Sequence, residues 1–174
     1  MSPLLSGLLS APFAIGALLM RTLASTILKK FGFKKCISLA PIGIFISLMM
    51  MSFITKESGY VYICFSGALL GFFTIFLYAS NGPLAYVDMP KSLSSSATSI
   101  DTTVRQFSMS LAIGLCAFLV LTYLNILNLH SLADIGATQA FHYTFRTLAV
   151  LVLFQILISF GIKKSDGDEA AKGA

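Results

Sequence analysis

Four lysines, Lys29, Lys30, Lys34 and Lys35, crowd into a short stretch of a chain in which only 11% of residues are charged. Clustered lysines can neutralise nucleic-acid phosphates, meet anionic lipid headgroups or keep a loop on one side of a bilayer. Asp101 and Arg105 stand at i and i+4, the spacing that brings a carboxylate and a guanidinium together on one helix face. His130, Asp134 and His142 supply the residue types of a metal or acid–base centre. Arg21 is a cation inside an apolar run, where a charge ordinarily faces protein or a water-filled cavity.

The elements that must position these groups belong to a membrane protein. The chain has 174 residues, of which 56% are hydrophobic, and a mean hydropathy of +0.86, far outside the range of a soluble domain. A formal charge of +5 does not point to nucleic acid here, because the basic residues lie between apolar runs rather than along one face. Five runs have the length of a spanning helix: Leu4 to Leu28, Cys36 to Ile54, Tyr60 to Ser80, about Ser94 to Tyr123 and about Phe141 to Ile162. The expected fold is all-α and polytopic, with residues 1–164 as the membrane domain and 165–174 as a disordered cytoplasmic tail. The fourth run exceeds the bilayer, so its first two turns, which contain Asp101, are expected in the headgroup zone or water. The first run lacks a preceding basic residue and outruns a signal peptide, so it reads as a helix that stays. Cys36, Cys64 and Cys116 sit singly in or beside separate spans, as small apolar packers do.

Basic loops stay cytoplasmic, and nearly all the Lys and Arg collect on one side. That side holds the four clustered lysines, Lys91, Lys163, Lys164 and Lys172, while the opposite side offers Lys56 and, at a helix entrance, Arg146. The expected orientation is amino terminus outside and carboxyl terminus in the cytoplasm. An odd helix count with an external amino terminus needs something ahead of Leu4 to direct that end across the membrane. The expectation is a missing front portion.

Local chemistry adds detail. Pro90 biases Met89 away from helix, and Ser94, Ser95 and Ser96 can cap the helix that follows. Asp101 and Arg105 read either as a local surface pair or as a gate contact. Arg21 lies two helical turns, about 12 Å, ahead of Lys29, beyond the full reach of snorkelling. It reads equally as a transport-pathway residue or as a carbonyl contact inside a bundle. Gly67 and Gly71 form a Gly-x-x-x-Gly face, and Ser110 and Gly114 a second small face, both suited to close helix packing. Pro12 and Pro41 predict kinks in the first and second helices. The second run is apolar nearly all round, as a lipid-facing span should be, whereas the third carries Ser66, Thr74, Tyr78 and Asn81. Those polar groups, with Gln106 on the fourth run, could orient an amphipathic substrate or make interhelical contacts.

Three stretches resemble a known family. Ser2-Pro-Leu-Leu-Ser-Gly-Leu-Leu-Ser-Ala-Pro12 is similar to a helix entrance in the carboxyl-terminal half of major facilitator transporters of the fourteen-helix drug:proton antiporter type. The lysine cluster resembles that family's cytoplasmic motif: Gly32 matches its second glycine, Lys30 its arginine, and Lys34 and Lys35 its trailing basic residues. Ser25 stands for its first glycine and Lys29 for its aspartate, as in a degenerate second copy. Asn81-Gly-Pro-Leu-Ala-Tyr-Val-Asp-Met-Pro90, Leu93-Ser-Ser-Ser-Ala-Thr-Ser99 and Val104-Arg-Gln-Phe-Ser-Met-Ser-Leu111 resemble a loop and helix near the end of those transporters. The resemblance covers essentially the whole chain. It implies the last five helices of a secondary active transporter that expels amphipathic small molecules in exchange for protons, set in a bacterial inner membrane and needing no cofactor. It also implies that the first, third and fourth helices line the cavity and the second and fifth are peripheral.

Two rival classes stand beside this reading. One is a small membrane scaffold, or a subunit that packs against a separately encoded amino-terminal transporter half. The other is a membrane enzyme, for which His130, Asp134 and His142 are a lone trio without further carboxylate support, the pattern of a solvated loop. No acid lies in the middle of a span, so a proton-coupling carboxylate would belong to the missing half.

Overall fold

A computed structural model describes residues 3–55, 58–82, 94–127 and 137–160. They form five helices: α1 (Pro3–Phe31), α2 (Phe33–Ser52), α3 (Tyr60–Asn81), α4 (Ser94–Ile126) and α5 (Ala137–Phe160). In hydrocarbon each backbone N–H and C=O must be paired within its own segment, which a helix achieves and an open strand does not. Each of the five carries an apolar span of at least 18 residues, so the chain is an all-α polytopic membrane protein. The Asp-x-Pro turn, Lys91, Lys56, His130, Asp134, Lys163, Lys164 and the tail lie outside the described residues.

The helices pack in the spatial order α1, α3, α2, α5, α4, each mainly against the next. Order in space therefore differs from order in sequence, and the helix expected to face lipid lies between two others. Within its span 44% of α2 is buried, against 6% for α4. All-round apolarity serves α2 in two ways. Cys36, Ile37, Ala40 and Leu48 are buried, while Leu39, Ile42 and Ile46 form a separate exposed stripe. The central cluster joins Met20 and Ala24 of α1, Cys36 and Ala40 of α2, and Phe76 of α3.

Small residues set how closely these helices approach. A methyl group on Gly71 would overlap the Phe13 carbonyl of α1, and one on Gly16 would overlap the Ala68 carbonyl of α3. The Gly-x-x-x-Gly face is thus the α1 contact, a backbone-to-backbone approach that a side chain would prevent. Gly43 of α2 receives the Phe73 ring in the same way. The second small face behaves differently. Gly114 on α4 has no described neighbour within 4 Å.

The lysine cluster folds as a tight break between α1 and α2. The Gly32 amide bonds to the Leu28 carbonyl at 3.0 Å, and its own carbonyl accepts from the Cys36 amide at 3.3 Å. Gly32 adopts φ 77 and ψ 152, a conformation that essentially only glycine holds without strain. Gly32→Ala is expected to destabilise the chain by roughly 1–3 kcal/mol, read as a lower thermal midpoint in detergent. An unchanged midpoint would mean that the turn relaxes freely.

Candidate functional site

A polar surface runs along α4, close to the end of the bundle that carries the lysine turn. Ser95, Thr98, Ser99, Thr102, Thr103, Gln106, Phe107 and Ser110 line an open groove of about 880 Å³. The hydroxyls of Ser99, Thr102, Thr103 and Ser110 each donate to the carbonyl four residues earlier. Their protons are satisfied inside the helix, and their oxygens remain able to accept. A helix with so apolar a composition gains nothing by turning this stripe to lipid, so the stripe calls for water, a ligand or another polar helix.

Beside the groove, Asp101 and Arg105 form an ion pair of 2.8 Å. The Arg105 guanidinium also lies 5.0 Å from the centroid of the Tyr78 ring on α3. The pair is therefore more than a local one, because it ties the start of α4 to the last turns of α3 through a cation–π contact. Asp101 is the only carboxylate among the described residues.

The other sequence-derived candidates divide. Thr74 donates to the Leu70 carbonyl at 2.7 Å, and Asn81, the last residue of α3, is exposed. Gln106 lies in the groove. Ser66 does not belong with them: it is fully buried and its hydroxyl donates to the Ile63 carbonyl at 2.9 Å. At 3.6 residues per turn it points roughly 120° away from Tyr78 around α3. Arg21 is exposed and has no partner among the described residues. It follows Met20, which is fully buried against the core, so it points about 100° off the packed face of α1. Its carbonyl-contact reading finds no partner here. Lys30 and Lys35 are exposed, and the side chains of Lys29 and Lys34 lie outside the described residues.

At the opposite end is a polar network that sequence reasoning missed. Ser52, the last residue of α2, is fully buried. It accepts a hydrogen bond from Arg146 Nε at 2.9 Å and donates to the His142 carbonyl at 3.3 Å. The His142 ring donates from Nε2 to the Ile54 carbonyl at 2.6 Å, a role that fixes its proton on that nitrogen. Tyr62 donates to the Met50 carbonyl at 2.8 Å. Tyr123 and Thr147 exchange a hydroxyl bond of 2.6 Å, and the Tyr123 and Tyr143 rings lie 5.6 Å apart. α5 thus supplies His142 to the Ile54 carbonyl and Arg146 to the Ser52 hydroxyl where α2 ends, and α3 supplies Tyr62. The available signal was Arg146 itself: α5 begins at Ala137 rather than Phe141, so the cation sits more than two turns inside a helix and needs a partner.

No protein-family model matches the chain. The sequence is 25% identical over 158 residues to a Klebsiella pneumoniae protein named multidrug resistance protein MdtD, which covers 90% of this chain and 33% of that relative. An Escherichia coli protein of the same name is 27% identical over 160 residues, with the same coverage. A Haemophilus influenzae protein named transport protein HsrA is 24% identical over 168 residues, covering 97% of this chain and 35% of the relative. The chain spans about a third of the length of the curated relatives it matches. Five apolar helices and transport relatives from bacteria make this a multi-pass bacterial membrane protein whose similarity lies with transporters.

Proposed function

We propose that the chain is the carboxyl-terminal part of a major facilitator transporter that expels amphipathic small molecules in exchange for protons, with the α4 groove as part of its pathway. The observation that carries this reading is the polar stripe on α4, from Ser95 to Ser110, open along a helix that is otherwise apolar and little covered. Similarity over 90% of the chain to proteins named for multidrug resistance supports it. Thr74, Tyr78 and Asn81 on α3, Gln106 on α4 and Arg21 on α1 are the candidate pathway residues; Ser66 is withdrawn from that set because it is buried. Asp101, Arg105 and Tyr78 make the contact between α3 and α4 at the lysine end, where a gate would act. Transport by alternating access rocks one half against another, so this part acts with an amino-terminal half, joined or separately encoded.

Substituted-cysteine accessibility tests the pathway in the assembled transporter. Cysteines replacing Thr102 and Gln106 are expected to react with a charged, water-soluble thiol reagent, and one replacing Phe118 is expected to stay unreactive. Equal reactivity at all three positions would overturn the assignment. The lysine turn belongs in the cytoplasm on this reading, so a reporter fused at Ser58 is expected to show an external location and one after Gly167 a cytoplasmic one.

A further inference from the structure

Among the described residues Arg146 uses one of its donors. A guanidinium has five N–H donors in a planar fork. Here Nε is bound to the buried Ser52 hydroxyl, and the carbon at the centre of the group lies 5.7 Å from the centroids of both the Phe53 and Tyr143 rings. These contacts fix the plane of the group. Among the described residues nothing accepts from its terminal nitrogens, and no carboxylate balances its charge: Asp101 is paired with Arg105 on α4.

Depth says what kind of anion fits. The apolar span of α2 ends at Ser52, whereas that of α5 begins about two turns before Arg146, at Thr138; bonded to Ser52, the guanidinium lies at the edge of the α2 span, and its free end can snorkel to the lipid phosphates. Phe53 and Tyr143 are 60% and 41% exposed, as interfacial aromatics are. From Arg146 an exposed apolar stripe runs along α5 through Val150, Leu153 and Leu157. These positions, at i+4, i+7 and i+11, share one helical face. The surface is a cation at the edge of the α2 span continued by an apolar track, the complement of an amphiphile with an anionic head.

We propose that Arg146, held by Ser52, Phe53 and Tyr143, binds the phosphate of a glycerophospholipid, with one acyl chain lying along Val150, Leu153 and Leu157. The terminal nitrogens can donate two parallel bonds to the phosphate oxygens, which a lysine cannot match. A free phosphate ester would use the head and leave the track empty, so the lipid is the better occupant.

Native mass spectrometry of the full chain in a mild detergent tests this with three probes: phosphatidylglycerol, diacylglycerol with the same acyl chains, and glycerol 3-phosphate. The chain is expected to retain phosphatidylglycerol and neither of the others. Arg146→Gln is expected to reduce retention roughly tenfold, Arg146→Lys to reduce it less, and Lys30→Gln with Lys35→Gln at the other end to leave the specific adduct in place. Leu157→Ser leaves the Ser52 contact intact and is expected to weaken retention, which keeps the test decisive if Arg146→Gln misfolds. Undiminished retention in a folded Arg146→Gln chain, equal retention of diacylglycerol, or binding of glycerol 3-phosphate alone would overturn the proposal.

Discussion

Gly71→Leu is expected to destabilise the purified chain by about 3 kcal/mol or more, at or beyond the upper end of ordinary overpacking. Even a methyl group at that position overlaps the Phe13 carbonyl, and the obstacle is backbone inside a helix rather than the end of a flexible side chain. Relief requires α1 to move off α3, which opens the cluster that joins Met20, Ala24 and Phe76. Gly114→Ala is the control. Nothing described lies within 4 Å of that position, and alanine is the better helix former by about 1 kcal/mol, so that change is expected to be neutral or stabilising. Thermal unfolding of both variants in detergent, followed by helical circular dichroism, compares them. Equal midpoints would show that α1 and α3 do not approach as closely as their glycines allow.

The second large effect is expected at Ser52. Ser52→Ala removes the acceptor for Arg146 Nε and the donor to the His142 carbonyl in one step, leaving the cation without the one side-chain acceptor it has among the described residues. Loss of a buried hydrogen bond costs about 1–3 kcal/mol, and interhelical bonds in membranes fall toward the lower part of that range, so about 1–2 kcal/mol is expected. A double-mutant cycle with Arg146→Gln separates this coupling from the rest of the network. Additive losses would show that the bond contributes no stability. Ser47 is also fully buried, but its hydroxyl donates to the Gly43 carbonyl within its own helix. Ser47→Ala is therefore expected to cost less.

The sequence carries the number of helices and the approximate place of each, because the length of an apolar run is a one-dimensional property fixed by bilayer thickness. The expected fourth run ended at Tyr123 and α4 continues to Ile126; the expected fifth began at Phe141 and α5 begins at Ala137. That second difference matters most, since it places Arg146 more than two turns into α5, beside the end of α2. The Gly-x-x-x-Gly face was legible as a packing face, whereas its partner was not: glycine announces that something comes close without saying what. Ser66 shares polarity with Thr74, Tyr78 and Asn81 but is fully buried, because position around a helix, and not residue type, decides whether a hydroxyl meets the core or the open side. The contact between Ser52 and Arg146 joins residues far apart in sequence. In a chain so uniformly apolar, no periodic pattern specifies which helix faces which.

The central claim is that these helices are the carboxyl-terminal part of a drug-expelling transporter and act only with the rest of one. The most direct measurement is the efflux of a fluorescent amphipathic cation from bacterial cells. One culture makes this chain alone, and another makes a chimera in which the chain replaces the stretch of the Klebsiella relative that it matches. The chimera is predicted to lower dye accumulation, an effect abolished when the proton gradient is collapsed, and the chain alone to match cells carrying an empty vector. Dye expulsion by the chain alone, or none by a chimera that inserts and folds, would contradict the account.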